Sequence, residues 1–156
     1  MSMLNTKPIV FSDSWAMANG ELDGFPLILR FRDHLQPVVG HGRLPNRLQV
    51  IWVYDSEPVP GMHAMPTEQL TTRMVALEDA LVAGLEARGL GVLTSVATTG
   101  GRREWTWYCG ERSDVQNAIN DALADVEAYP IRLHISSDPA WSTYTELLHD
   151  VGHDAA

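Results

Sequence analysis

The chain has 156 residues, 45% hydrophobic and 20% charged, with 20 acidic against 11 basic side chains and a formal charge of −9. That size and mixture suit one folded domain with its own core and exclude a disordered chain. No apolar run approaches the roughly 18–20 residues of a membrane span, the first ten residues lack the apolar core of a secretion signal, and a single cysteine, Cys109, excludes an internal disulfide and a cysteine-rich zinc site. A cytoplasmic protein is the expectation.

Residues 1–10 read as a loose lead-in and 151–156 as a tail, which places the domain at 11–150. Trp15 to Ala18 and Phe25 to Phe31 read as two short strands, joined through "NGELDG" with its Asn-Gly and Asp-Gly turn chemistry. Leu27, Leu29 and Phe31 share one face of the second strand, and Ile28, Arg30 and Arg32 the other. "QPVVGHGRLPN" (36–46) is a loop by its prolines and glycines. "RLQVIWVYD" (47–55) is a strand rich in β-branched and aromatic residues. After the loop "SEPVPGMHAMP", Pro66 opens a helix whose apolar stripe is Leu70, Met74, Leu77, Leu81 and Leu85, and Gly89 and Gly91 end it.

"VLTSVATT" (92–99) and "RREWTWYC" (102–109) read as a hairpin turned by "TGG". Ser113 and Gln116 have the spacing of a capping box for a second helix with an apolar face of Val115, Ile119, Ala122, Leu123 and Val126, stopped by Tyr129-Pro130. "IRLHIS" (131–136) alternates as a strand. "SDPAW" starts a last helix, with Asp138 as its cap, Pro139 at the first position, and Trp141, Tyr144, Leu147 and Leu148 as its packing stripe.

From residue 47 to 136 the order is strand, helix, strand, strand, helix, strand. That is the α+β ferredoxin-like sandwich, β-α-β-β-α-β, with an added N-terminal hairpin and a C-terminal helix. The additions either extend an edge of the sheet or cover part of the face that the bare sandwich leaves wet.

Strand parity divides 102–109 into two sets. Trp105, Trp107 and Cys109 form the more apolar one and belong under the helices as core anchors rather than as a base-stacking platform. Glu104, Thr106 and Tyr108 then share the open face with Arg132 and His134, a polar strip with a cross-strand pair expected between Glu104 and Arg132. The same five residues are the candidate binding surface. Arg102 and Arg103 follow the glycine turn and read as a solvated pair.

The remaining chemistry is sparse. His149 and His153 have the i, i+4 spacing of two ligands on a helix, but no His-Glu-x-x-His motif accompanies them and the chain ends there, so no metal site is expected. Cys109 beside two tryptophans reads as a small buried hydrophobe rather than a nucleophile. No GxSxG elbow, GxGxxG loop or P-loop occurs. His41, Arg43 and His63 sit in the loops 36–46 and 56–65, where an alternative site would form.

Several stretches carry a family resemblance. "MPT" before the long helix, "LEDAL" within it, "TTGGRREWTWY", "YPIRLHISSDPAWSTY" and the opening "WAMANGELDGFPLILRF" together resemble the bacterial domain of unknown function 695 family, over residues 12–148. The resemblance places a Gly-Arg-Arg-Glu-aromatic strand at Gly101–Trp107 and an Asp-Pro-x-Trp-x-x-Tyr segment at Asp138–Tyr144. It implies no catalytic residue. At fold level the family is similar to the ribonuclease E inhibitor called regulator of ribonuclease activity B.

Charge orders the functional classes. The one lysine, Lys7, and ten scattered arginines make a poor phosphate-binding surface, so nucleic acid is not the expected partner. An acidic surface suits a basic protein. The reading is a non-enzymatic, acidic protein-binding or inhibitor-type module, including an antagonist of a basic effector, with no cofactor. A homodimer through an open sheet edge is the competing assembly. An enzyme or small-ligand binder under the two loops, and an RNA-binding sheet, are the alternatives.

Overall fold

A computed structural model describes residues 9–61 and 65–152. In chain order its elements are β1 (Ser14–Leu22), β2 (Phe25–Asp33), β3 (Asn46–Val53), α1 (Glu68–Leu85), β4 (Gly91–Thr99), β5 (Arg102–Cys109), α2 (Arg112–Ala122), β6 (Ile131–Ser137) and α3 (Ser142–Asp150). One six-stranded sheet runs β1-β2-β4-β5-β3-β6 with every neighbouring pair antiparallel. The last four strands with α1 and α2 make the expected ferredoxin-like sandwich. The N-terminal hairpin extends the sheet along β4, and α3 takes the opposite face.

Turn chemistry explains the strand ends. Asp23 and Gly24 both have positive φ, 54° and 83°, the primed geometry that joins two strands in two residues. The turn therefore falls on Asp-Gly. Asn19-Gly20 lies within β1, which makes that strand longer than the expected Trp15 to Ala18. Gly100 and Gly101 turn β4 into β5 in the same way, at 53° and 79°. At Gly101 a Cβ would stand 2.3 Å from the Asp55 carbonyl oxygen, so glycine is required there.

Two helix starts differ from expectation. Thr67, not Pro66, sets the start of α1: its hydroxyl accepts the Leu70 N–H at 3.1 Å. The capping box at Ser113 does not form. The chain leaves β5 through Gly110 and enters α2 at once at Arg112, so Ser113 already lies inside the first turn. Its hydroxyl donates to Glu111, and Gln116 donates to Asn120. That helix ends at Ala122, which leaves Val126 outside it and exposed. Tyr129 packs instead against Trp52, ring centroids 5.4 Å apart.

The sheet separates two cores. On the α1/α2 side Leu48, Val50, Trp52, Trp105, Trp107 and Cys109 meet Met74, Leu77, Leu81 and Leu85 of α1 and Val115 and Ile119 of α2. Trp105 and Trp107 are fully buried, as strand parity requires of core anchors. On the other side Leu29, Phe31, Val92 and Tyr108 are sealed by α3 and by the loop of residues 34–45. Trp141 stacks on Tyr108, centroids 4.4 Å apart and planes 8° from parallel, and donates its indole N–H to the Leu44 carbonyl at 2.9 Å. The Tyr144 hydroxyl donates to the Arg32 carbonyl at 2.6 Å.

Asp138 ties this layer together. α3 begins four residues after it, because Trp141 takes a left-handed backbone (φ 56°) ahead of the first helical turn. Asp138 still caps from that distance. Its carboxylate accepts the Ser142 and Thr143 N–H groups at 3.0 and 3.2 Å, the Ser142 hydroxyl at 2.5 Å and the Tyr108 hydroxyl at 2.6 Å. Burial alone would raise its pKa, but the bonds from Ser142, Tyr108 and Thr143 outweigh it and hold the carboxyl well below the usual range. Tyr108 moves the other way: burial first, then Asp138, push its phenol above 10.

A carboxyl depressed in the folded state contributes stability in full above its unfolded value near 3.8, and that contribution is lost as pH falls from there through the folded value. Asp138→Asn keeps an acceptor but cannot titrate. Its urea midpoint should therefore fall less steeply than the wild type's below about pH 4. Parallel curves for the two proteins would contradict this role.

Candidate functional site

The expected open face is half closed. Tyr108 is fully buried beneath Trp141, so it is not on an open surface, and its hydroxyl is committed to Asp138. A helix following the last strand could be foreseen; the sheet face it covers could not. Thr106 is also buried, at 9% exposure. Arg47, beside Tyr108 in register, reaches from β3 to the hydroxyls of Thr143 and Ser136 and pins α3 to the sheet.

The upper half of the face stays open. β3 runs between β5 and β6 there, and Ile51 stands in register with Glu104 on one side and Arg132 on the other. Glu104 and Arg132 are thus two strand spacings apart, about 9–10 Å, and the expected pair between them does not form. Glu104 instead accepts the Gln49 side-chain N–H at 2.5 Å. Arg132 and His134 are exposed on β6, while Glu104, Gln49 and Ile51 are half-buried. The result is a shallow strip with one apolar residue at its centre and polar groups around it.

The helix side of the sheet carries a second concentration of charge. Arg30 and Arg32 alternate with the apolar residues of β2 as the sequence indicates, and β2 brings them under α1. Arg30 pairs with Glu78, which also accepts the Trp105 indole N–H at 3.0 Å. The Arg32 side chain, 5% exposed, pairs with Glu86 at 3.3 Å, and Glu86 also accepts the Leu93 backbone N–H at 3.0 Å. Both guanidiniums lie 4.7 Å from the centre of the Trp15 ring. These ion pairs span 48 and 54 residues of sequence. The available signal was two arginines on the helix-facing side of a strand, and Glu78 and Glu86 on one face of a helix.

Arg103, read from sequence as part of a solvated pair, points to the helix side while Arg102 stays exposed. Its Nε–H donates to the Thr98 hydroxyl at 2.8 Å, and it enters no ion pair among the described residues. With Met17, Ile28, Arg30, Val96 and Thr98 it lines a cavity of about 130 Å³.

Of the alternative loop site only His41 and Arg43 lie among the described residues. His41 accepts the Arg43 backbone N–H at 3.1 Å, and Arg43 lines an open cavity of about 520 Å³ with Asn46, Gly89, Glu111 and Asp114. This lies where β3 begins. The second loop leaves from the other end of that strand, about 26 Å away at the usual rise per residue. His63 itself, like His153, lies outside the described residues. Among the described residues no three His, Cys, Asp or Glu side chains are grouped to hold a metal ion. Burial pushes the Cys109 thiol up to about 12, so it stays protonated at neutral pH. No helix among the described residues is long and apolar enough to cross a membrane.

Comparison with known proteins agrees with the motifs. The model of a family of unknown function (DUF695) matches residues 13–149, and the chain belongs to that family. No curated protein matches it.

The Arg32–Glu86 pair gives a direct check on the packing of the hairpin against α1. Glu86→Ala would leave the buried Arg32 guanidinium only the exposed Asp13 carboxylate, 3.7 Å away, and deprive the Leu93 amide of its acceptor. It should destabilise the protein by about 3 kcal/mol in chemical denaturation. A loss below about 0.5 kcal/mol, usual for an exposed pair, would contradict the geometry.

Proposed function

We propose that this member of the DUF695 family is a non-enzymatic protein-binding module of inhibitor type, whose docking surface is the open upper half of the outer sheet face. The strip around Ile51 carries the reading. An apolar centre ringed by Gln49, Glu104, Arg132 and His134 has the layout of a small protein interface, with a dry middle and a polar rim.

Two further features support it. The buried titratable groups Tyr108, Asp138 and Arg32, and the half-buried Glu86, are engaged in bonds that hold elements together. None of these pairs offers a solvent-reachable acid or base to a substrate. The charge of −9 favours a basic partner by steering its approach and by matching its sign. Such a partner would meet Glu104 directly, while Arg132 and His134 would set its register. A second copy of the chain, paired along the exposed edge of β1 or β6, is the rival occupant.

Ile51→Lys places a like charge at the centre of the strip without touching either core. Wild type and variant, matched by circular dichroism, would be used as baits in extracts of the native cell at low and high salt. The expected result is one basic protein held in stoichiometric amount by wild type, weakened by salt and lost with Ile51→Lys. Equal capture by both baits would contradict the assignment of the surface. A dimer of the purified chain that the substitution dissolves would replace the basic partner with self-association.

A further inference from the structure

The shoulder of the sheet beside α1 holds chemistry that the docking strip does not use. β1 and β2 extend the sheet, and Met17 and Ile28 on its helix-facing side remain 68% and 39% exposed. Between them and β5 lies the cavity lined by Met17, Ile28, Arg30, Val96, Thr98 and Arg103. Its volume, about 130 Å³, is several times the roughly 30 Å³ share of one water in the liquid.

Two guanidiniums meet one carboxylate at this place. Glu78 is taken by Arg30 and by the Trp105 indole. Arg30 is fixed further by the Trp15 ring. Arg103 is anchored through Nε to Thr98, which orients the two terminal nitrogens of its fork without an ion-pair partner among the described residues. One positive charge is left unbalanced on a molecule whose net charge is −9. Burial draws the Arg103 pKa below its ordinary value; Tyr54 and Glu78 oppose that shift and Arg30 adds to it. A partly buried cation short of counter-charge is stabilised by an added anion.

We propose that this cleft binds a small monocarboxylate, with the Arg103 fork on the carboxylate and Met17, Ile28 and Val96 on a short aliphatic tail. A planar carboxylate matches a guanidinium in two parallel hydrogen bonds. A monoanion balances the single excess charge, whereas a phosphate dianion would overshoot it and face Glu78. The apolar lining has no use for inorganic phosphate and suits a tail of a few carbons.

The test is an NMR titration of the full chain with butyrate, butanol and inorganic phosphate, following the Met17 methyl and the Arg103 Nε–H. Butyrate should shift both signals saturably. Butanol should leave Arg103 unmoved, and phosphate should bind at least about tenfold more weakly than butyrate. Arg103→Gln should weaken butyrate by at least about tenfold, the equivalent of one charge-assisted hydrogen bond. Met17→Glu, at an exposed edge position, should also weaken it by setting a like charge at the mouth, and it serves if Arg103→Gln does not fold. The proposal is overturned by the absence of a saturable shift at these two residues. It is equally overturned by phosphate binding as tightly as butyrate, or by unchanged butyrate affinity in the variants.

Discussion

Inside an otherwise apolar layer, the Tyr108 hydroxyl donates to Asp138 at 2.6 Å, and this bond divides the outer face of the sheet. Tyr108 stands on an interior strand. Asp138 leads into α3, and its carboxylate gathers the first amides of that helix. The bond therefore joins the centre of the sheet to the start of the helix that covers it. Without Asp138 the buried phenol would lose its acceptor, which is costly, whereas without Tyr108 the carboxylate would keep its donors from Ser142 and Thr143 and lose only the link to the sheet. Once α3 is seated, Trp141 can stack on Tyr108 and Tyr144 can reach the Arg32 carbonyl. The lower half of the face closes and the upper half stays open.

The two stretches that carry the resemblance in the sequence are explained by this arrangement. Asp138, Trp141 and Tyr144 are the carboxylate, the stacking ring and the second hydroxyl of one structural lock. The strand from Gly101 to Trp107 supplies the turn glycine, which no other residue can replace beside Asp55, and two fully buried tryptophans. Motifs that look chemical in sequence are here devoted to the fold, and the surfaces left for binding are assembled from less conspicuous residues such as Ile51, Gln49 and Met17.

Much of the fold was legible because its signals are local. Period-two alternation in β5 and β6, the stripe on α1 and the glycine turns each act within a few residues of sequence. They sufficed for the ferredoxin-like order, and parity alone sent Trp105 and Trp107 under the helices. Helix starts were less legible. Thr67 and Pro66 compete at adjacent positions, and Ser113 has the spacing of a cap but lies two residues too late once Gly110 has already turned the chain. The candidate sites depend on pairings that sequence does not carry. That α3 would cover Tyr108, that β3 would separate Glu104 from Arg132, and that Arg103 would face an unbalanced cleft all follow from strand order and long-range register.

A double-mutant cycle on Tyr108→Phe and Asp138→Ala, read by urea unfolding, tests the central bond most directly. If the two groups form one lock, the double variant is less destabilised than the sum of the single variants by about 1–3 kcal/mol. Single effects that add to within about 0.3 kcal/mol would mean that the residues act independently, and would contradict the division of the sheet face described above.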